Sequence, residues 1–292
     1  MSKKFTALVI MVISVMLLAA GCGTKDEETS TGGKKNPSTQ DTKTENDNTF
    51  KVGLECAYPP FNWTQVNDSN GAVLIDGTNE YAGGYDIEIA KKIADGLGKE
   101  LVIVKTDWDG LLPALQSGKI DAIIAGMSPT AERKEAIDFS DNYYMSDLVM
   151  VVKKGGAYEN ATSIQDFSGA KITAQLNTFH YSVIDQINGV KKQTAMDSFP
   201  AMRVALEAGA IDGYVSERPE GVSAAAANSK FAMVQFASGS GFETSEDDTA
   251  VAVGLRKDSE LTAKINETLA GISEEDRISI MDTAITNQPA TE

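Results

Sequence analysis

Residues 118–133 combine, within one short stretch, the groups that a carboxylate receptor needs. The stretch is G-K-I-D-A-I-I-A-G-M-S-P-T-A-E-R, and its apolar run at residues 120–125 is typical of a buried parallel strand. A helix start follows at once, with Ser128 or Thr130 as N-cap. Arg133 lies one turn into that helix, so a hydroxyl, free backbone N–H groups and a guanidinium can converge on one anion. The alternative is an ordinary strand-to-helix connection with a surface arginine.

The N-terminal residues indicate export and lipid attachment. Lys3 and Lys4 precede an apolar run at residues 5–18, which is short for a membrane span, and the segment closes on L-L-A-A-G-C at Cys22. This ending resembles the lipobox of bacterial lipoproteins, although Ala19 stands where leucine is more typical. We expect a signal peptide at residues 1–21 and a lipidated Cys22 followed by a flexible polar tether to residue 48. A plain secretory signal is the alternative.

Charge and cysteine content exclude several classes of protein. The net charge of −16 argues against binding to nucleic acid or to anionic membrane surfaces. If Cys22 carries a lipid, Cys56 is the only cysteine left, so neither a disulfide framework nor a cysteine-based metal site is expected. The sequence predicts no cofactor and no metal site.

Strands and helices alternate along the rest of the chain, which predicts a parallel sheet with helices on both faces. The loops E-C-A-Y, D-W-D-G and A-G-M-S each follow a predicted strand or lead into a helix, so they are expected to meet at one sheet edge. D-W-D-G at 107–110 is predicted to be a turn before a helix at 111–116. Residues 65–84 are predicted to form a polar insertion, and residues 243–248 a solvated loop. The α/β pattern restarts near Ser146, which indicates two lobes.

Four motifs occur in an order that resembles a known family: E-C-A-Y-P-P-F, G-Y-D-I-E-I-A, the long segment around residues 111–135, and I-D-F-S-D-N-Y-Y. The chain resembles the family 3 extracellular solute-binding proteins, the polar amino-acid-binding proteins of bacterial ABC importers. The resemblance implies a two-lobe α/β fold of the periplasmic-binding-protein type (type II), with two hinge crossovers. Lobe 1 would comprise residues 49–145 and 250–292, and lobe 2 residues 146–249.

The resemblance also implies which residues hold the ligand's backbone. Arg133 is similar to the arginine that clamps the α-carboxylate. Ser128, Met127 and Gly126 lie beside it, with Gly126 facing the α-amino end. In lobe 2, the loop Q-L-N-T-F-H resembles the family's second carboxylate-binding loop.

Two positions in lobe 2 depart from the family pattern. Thr178 is expected to meet the carboxylate, but the neighbouring Asn177 replaces the usual glycine and leaves the shape of the loop open. Glu217 stands where the family keeps an acid that pairs with the α-ammonium, and the adjacent Arg218 is an alternative partner for it.

Side-chain preference is expected to depend on lobe 1. Glu55 resembles the acid that meets a terminal ammonium or guanidinium, and Tyr58 and Trp108 resemble an aromatic pair around the ligand's aliphatic stem, where a cation is stabilised by ring faces. These residues favour arginine, lysine or ornithine. The alternatives are a turn-capping carboxylate for Glu55 and core packing for the two rings.

The expected function is therefore binding and not catalysis. The predicted partners are a free amino acid and an ABC permease with its ATPase, and the protein would be a monomer held by its lipid at the outer face of the bacterial cytoplasmic membrane. The alternatives are a neutral polar amino acid or cystine as ligand, an extracytoplasmic dehydratase on the same fold, or a ligand-sensing module of a receptor.

Overall fold

The computed structural model describes residues 48–289. The predicted signal peptide, Cys22 and residues 23–47 of the predicted tether lie outside the described residues. Among the helices of the described part, none combines the length and the apolar composition needed to span a bilayer.

The strands of the described part form two five-stranded sheets and one small four-stranded sheet. In chain order they are β1 (Thr49–Leu54), β2 (Ala57–Tyr58), β3 (Asn62–Gln65), β4 (Val73–Leu74), β5 (Tyr81–Gly83), β6 (Glu100–Lys105), β7 (Ala122–Ile123), β8 (Asp138–Met145), β9 (Leu148–Lys153), β10 (Lys171–Thr173), β11 (Lys191–Lys192), β12 (Gly213–Glu217), β13 (Phe231–Val234) and β14 (Ala250–Leu255).

The helices cover both halves of the chain. They are α1 (Tyr85–Leu97), α2 (Trp108–Gln116), α3 (Ala131–Ala136), α4 (Phe179–Val183), α5 (Phe199–Ala208), α6 (Arg218–Ala227), α7 (Glu246–Thr249), α8 (Leu261–Ala270) and α9 (Glu274–Asn287), with 3₁₀ turns at Ser69–Gly71, Ile164–Phe167 and Ile184–Gln186.

The first five-stranded sheet has the order β6-β1-β7-β14-β8. Strands β6, β1 and β7 run parallel, whereas β14 runs antiparallel to β7 and β8. Its strands are buried because α1, α2 and α8 cover it, and Phe50, Val52 and Leu54 of β1 are fully buried. This burial explains why the strand segments are almost continuously apolar.

The second five-stranded sheet has the order β11-β10-β12-β9-β13, and all its strands come from residues between 148 and 234. Strands β10, β11 and β12 run parallel, and β9 is antiparallel to β12 and β13. Each sheet is therefore mixed and not purely parallel as predicted, because the chain enters or leaves it through an antiparallel strand.

Two crossovers connect the sheets. The chain passes from β8 in the first sheet to β9 in the second, and it returns from α7 to β14. At this point the N–H of Ser146 donates to the carbonyl of Thr249 at 3.0 Å, and Ala250 pairs with Met145. The sheet membership supports our proposal that the lobes divide at 145/146 and 249/250.

Three local predictions were wrong. Residues 65–84 contain β4 and β5, which pair with each other in the small sheet, where β5 also pairs with β3, and they do not form a simple insertion. Helix α2 begins at Trp108, inside the predicted turn, because Asp107 already occupies the N-cap position. Residues 246–249 are helical because Ser245 and Asp248 form a capping box.

A buried ion pair ties α5 to α6. Arg203 Nη2 lies 2.9 Å from Glu220 Oε1, and the side chains are 6% and 0% exposed. Tyr214 also donates to the same carboxylate, at 2.9 Å, and Arg203 Nη2 donates to Ser223 at 3.0 Å. Ser223 in turn contacts Gln288, just beyond α9, so the network joins the second sheet's helices to the C-terminal segment.

We expect Arg203→Met to lower the free energy of unfolding by about 3–5 kcal/mol, because it leaves Glu220 buried without its cation. The exposed pair of Lys230 and Glu207 provides the matched control, and Lys230→Met should cost about 1 kcal/mol or less. Urea titration of both variants measures the difference. Equal costs would show that the buried pair has no special role in stability.

Candidate ligand site

The predicted site residues of lobe 1 lie where its strands end. Glu55 follows β1, Tyr58 lies in β2, Trp108 begins α2, and Gly126 follows β7. Because parallel strands direct their carboxyl ends to one edge, these loops converge there. The residues that line the resulting cavity between the lobes are Tyr58, Trp108, Gly126, Ser128, Arg133, Gln175, Thr178, Phe179, His180 and Phe199.

The cavity is almost closed. Its volume is about 10 Å³, which is room for about one water molecule. Residues of both lobes line it, and Trp108 Nε1 donates to the carbonyl of Asn177 across it at 3.4 Å. An amino-acid-sized ligand therefore requires the lobes to separate before it can enter.

Arg133 is the cation of the cavity. Thr130 caps α3 by accepting the N–H of Arg133 at 3.4 Å, which orients the first turn. The guanidinium donates to the carbonyls of Ser128, at 2.9 Å, and Asn177, at 3.3 Å, and it lies 5.0 Å from the centre of the Trp108 ring. Burial lowers the pKa of Arg133 to about 10, so the group remains protonated at neutral pH.

The loop before α3 has a glycine where the packing requires one. Gly126 adopts φ +61°, and a Cβ there would lie 2.7 Å from Cε1 of Tyr58. Its N–H donates to Tyr143, whose hydroxyl donates to the buried carboxyl of Asp86 at 2.7 Å. The Gly126 N–H is therefore engaged within lobe 1. Met127 does not line the cavity, since its side chain is buried in the core.

Glu55 is a buried carboxyl with one oxygen partnered. Its side chain is 7% exposed, and Oε1 accepts from Nε2 of Gln175 at 3.0 Å. Oε2 has no hydrogen-bond partner in the part of the chain that the structure describes. Burial raises the pKa of Glu55 to about 7, and the charges of Asp107 and Asp109 act in the same direction.

Glu217 is the second buried carboxyl, at the point where β12 ends and α6 begins. The Tyr58 hydroxyl donates to Oε2. Oε1 lies 3.5 Å from Nε2 of His180 without a hydrogen bond, and no other described residue partners this oxygen. Arg218 is exposed and forms no ion pair with Glu217 among residues 48–289, so it does not neutralise the acid.

In the second-lobe loop, Asn177 takes the conformation that glycine would supply. Its φ is +55°, in the left-handed region, which asparagine tolerates better than other non-glycine residues. Its side chain also donates to Asp109 of lobe 1 at 2.8 Å. Thr178 precedes α4, is buried, and donates its hydroxyl to the carbonyl of Gln175 at 2.7 Å.

The aromatic residues differ from the predicted pair. Tyr58 stacks on Phe199 with ring centroids 4.1 Å apart, while Trp108 lies against Arg133. Sequence reasoning assigned no role to Phe199 or Gln175, and it left open whether His180 faces the cleft. The position of Gln175 within Q-L-N-T-F-H was the available signal, whereas nothing local to Phe199 indicates a partner far away in the chain.

Within residues 48–289, no three His, Cys, Asp or Glu side chains are arranged to hold a metal ion. The arrangement instead presents one guanidinium, Arg133, in the lining of the cavity, with two buried carboxylates just behind that lining. Glu217 accepts from Tyr58 and Glu55 accepts from Gln175, and both donors line the cavity. That is a receptor for a small charged molecule.

Comparison with known proteins identifies the family of this chain. The model of the bacterial extracellular solute-binding proteins, family 3, matches residues 50–283. The chain belongs to this family.

Family 3 relatives include a probable histidine-binding protein of Campylobacter jejuni, 34% identical over 63% of this chain and 73% of that protein. An arginine-binding extracellular protein of Bacillus subtilis is 26% identical over 91% of both chains. Among solved structures, an amino acid ABC transporter substrate-binding protein from Streptococcus pneumoniae bound to L-arginine is 27% identical, with a TM-score of 0.69 over 82% of this chain and 95% of that one. The predicted two-lobe α/β fold is thereby confirmed.

We expect Asn177→Gly to lower the free energy of unfolding by about 1 kcal/mol or less, because glycine keeps the left-handed conformation and only the exposed hydrogen bond to Asp109 is lost. Asn177→Val should cost about 1–3 kcal/mol, since a β-branched residue is strained there. Denaturant titration of both variants distinguishes them. If the valine variant were as stable as the glycine variant, Asn177 would not have the conformation described.

Proposed function

We propose that this chain is the substrate-binding protein of an ABC importer and captures a basic amino acid, arginine, lysine or ornithine, between its closing lobes. In this proposal Cys22 carries a lipid that holds a monomer at the outer face of the cytoplasmic membrane. The closed protein then delivers its ligand to the permease, whose ATPase drives transport. Since family 3 proteins bind solutes, we assign the chain no catalytic role.

The observation that carries the proposal is the match of buried charges. A basic amino acid presents one carboxylate and two cations, and the site presents one cation, Arg133, and two carboxylates, Glu55 and Glu217. Ion pairs with good hydrogen-bond geometry are what make burial of such charges tolerable. We assign the α-carboxylate to Arg133, Ser128 and Thr178, the α-ammonium to Glu217 and the Gly126 carbonyl, and the distal cation to Glu55.

The groups that contact Glu217 and Glu55 in the closed structure support this assignment. The Tyr58 hydroxyl donates to Glu217, and the Gln175 amide donates to Glu55. Both are neutral donors, and each leaves one oxygen of its acid unpartnered within the described residues. A ligand with two cationic ends would supply the missing donors.

The aromatic rings at the site also favour a cationic ligand. Trp108 already lies against a guanidinium, that of Arg133, at 5.0 Å. A ligand side chain that packs on the Trp108 ring would keep its aliphatic stem out of water, and a cation near that ring gains about 0.5–2 kcal/mol. The arginine-binding and histidine-binding names of the relatives above agree with a nitrogen-rich side chain.

A neutral polar amino acid is the second candidate ligand, because Glu55 accepts a hydrogen bond from an amide in this structure. Calorimetric titration with the twenty amino acids and ornithine separates the two. We expect a basic amino acid to bind most tightly, with Arg133→Ala abolishing binding and Lys92→Ala, an exposed change on α1, leaving it unaltered. Tightest binding of glutamine or cystine would overturn the basic-ligand assignment.

The pKa of Glu55 leads to a pH prediction. A cationic ligand favours the ionised form, so affinity is full above the pKa of about 7 and falls as the pH drops through it. Between pH 8 and pH 5.5 we expect arginine affinity to fall by about tenfold or more. In Glu55→Gln the affinity should be weaker at pH 8 and depend much less on pH. An equal pH dependence in both proteins would remove Glu55 from contact with the ligand's cation.

A further inference from the structure

A second, larger cavity adjoins the ligand site and is strongly acidic. It has a volume of about 480 Å³ and is lined in part by Glu55, Asp107, Asp109, Asp197 and Trp108. We call it the acidic cavity. Lys105 also lines it, but its ammonium donates to Thr64 Oγ1 at 3.0 Å and lies 3.8 Å from Glu80, so it is already engaged outside the cavity.

Gln175 separates the acidic cavity from the ligand cavity. It lines the ligand cavity, and its Nε2 donates to Glu55 at 3.0 Å and to the carbonyl of Asp197 at 3.1 Å, two residues that line the acidic cavity. Trp108 lines both cavities. The side-chain amide of Gln175 therefore separates the two cavities at Glu55.

Glu55 connects the acidic cavity to a ligand. It is more than nine-tenths buried, it lines the cavity, and its Oε2 lacks a hydrogen-bond partner anywhere in residues 48–289. A buried carboxylate oxygen without a donor is costly, so it marks a position where a ligand's donor belongs. The carboxylates of Asp107, Asp109 and Asp197 extend the negative potential beyond that oxygen.

We infer that the acidic cavity receives substituents on the distal cation of a bound basic amino acid, so that N-methylated arginines and lysines are ligands of this site. The inference rests on the proposed function and names a wider substrate class for it. Methylation keeps the positive charge but adds volume and removes donors. A site that enclosed the cation on all sides would reject such groups, whereas here the space beyond Glu55 is open and negatively charged.

The charge of the cavity matters more than its hydrogen bonds for these ligands. A dimethylated guanidinium has fewer N–H groups, so it loses directional contacts with Glu55. It retains its attraction to the buried carboxylate of Glu55, which does not depend on donor geometry, while the exposed Asp107, Asp109 and Asp197 add an attraction that water weakens. The expected cost of methylation is therefore small.

The test is calorimetric titration of the mature wild-type protein with L-arginine and with asymmetric NG,NG-dimethyl-L-arginine in the same buffer. We expect the dimethylated ligand to bind less than tenfold more weakly than arginine. A loss of more than tenfold, with arginine binding intact, would overturn this inference and leave the proposed function standing. If no basic amino acid bound, the proposed function itself would fail.

Two variants at Asp197 show whether the substituent enters the acidic cavity. This residue is exposed, and its contact with Gln175 uses the backbone carbonyl, which substitution retains. Asp197→Phe fills the cavity and should weaken the dimethylated ligand at least tenfold relative to arginine. Asp197→Asn has nearly the original volume and removes only one exposed charge, so it should change this ratio much less than Asp197→Phe does. The same ratio in the phenylalanine variant as in the wild type would contradict the inference, and thermal melting verifies that both variants fold.

Discussion

Two carboxylates buried at one cleft impose the constraint on which this structure depends. An ionised carboxylate loses most of its hydration when buried, and it stays charged only if cations or several donors replace the water. Glu55 and Glu217 each have one oxygen with a donor and one without, among the residues described. The pKa of Glu55, raised to about 7 by burial, shows how weakly the closed protein alone supports the charge. In the proposed function, the two cations of a basic amino acid supply the missing donors.

The connection between the two sheets indicates how a ligand could enter the site and be retained there. The two sheets are joined by crossovers that hydrogen-bond to each other between Ser146 and Thr249, so motion can be confined to that narrow region. In the proposed function, Tyr58 and Gln175 are neutral substitutes for the ligand's cations when the lobes meet without a ligand. Because the substitutes are weaker partners than an ammonium or a guanidinium, ligand binding favours the closed arrangement over the open one.

Periodic segments were predicted well because their neighbours in sequence determine them. The apolar spacing of residues 85–97 predicts a helix that ends at Gly98, and α1 has these bounds because Gly98 adopts the left-handed conformation. The small sheet was missed because β4 and β5 have only two and three residues, too few to show a periodic pattern. The contacts of Gln175 with Glu55 and of Phe199 with Tyr58 could not be predicted, since each joins residues that lie far apart in the chain. The family resemblance predicted Glu55 and Glu217, whereas only the structure shows that Gln175 and Tyr58 donate hydrogen bonds to them.

The most direct measurement is a crystal structure of the mature protein with bound L-arginine. The account predicts the α-carboxylate on Arg133, the α-ammonium on Glu217, and the guanidinium on Glu55. Tyr58 and Gln175 should have moved away from the two acids, and the lobes should be closed around the ligand. A ligand bound in the reverse direction, or Glu55 still joined to Gln175 with the guanidinium elsewhere, would contradict the account.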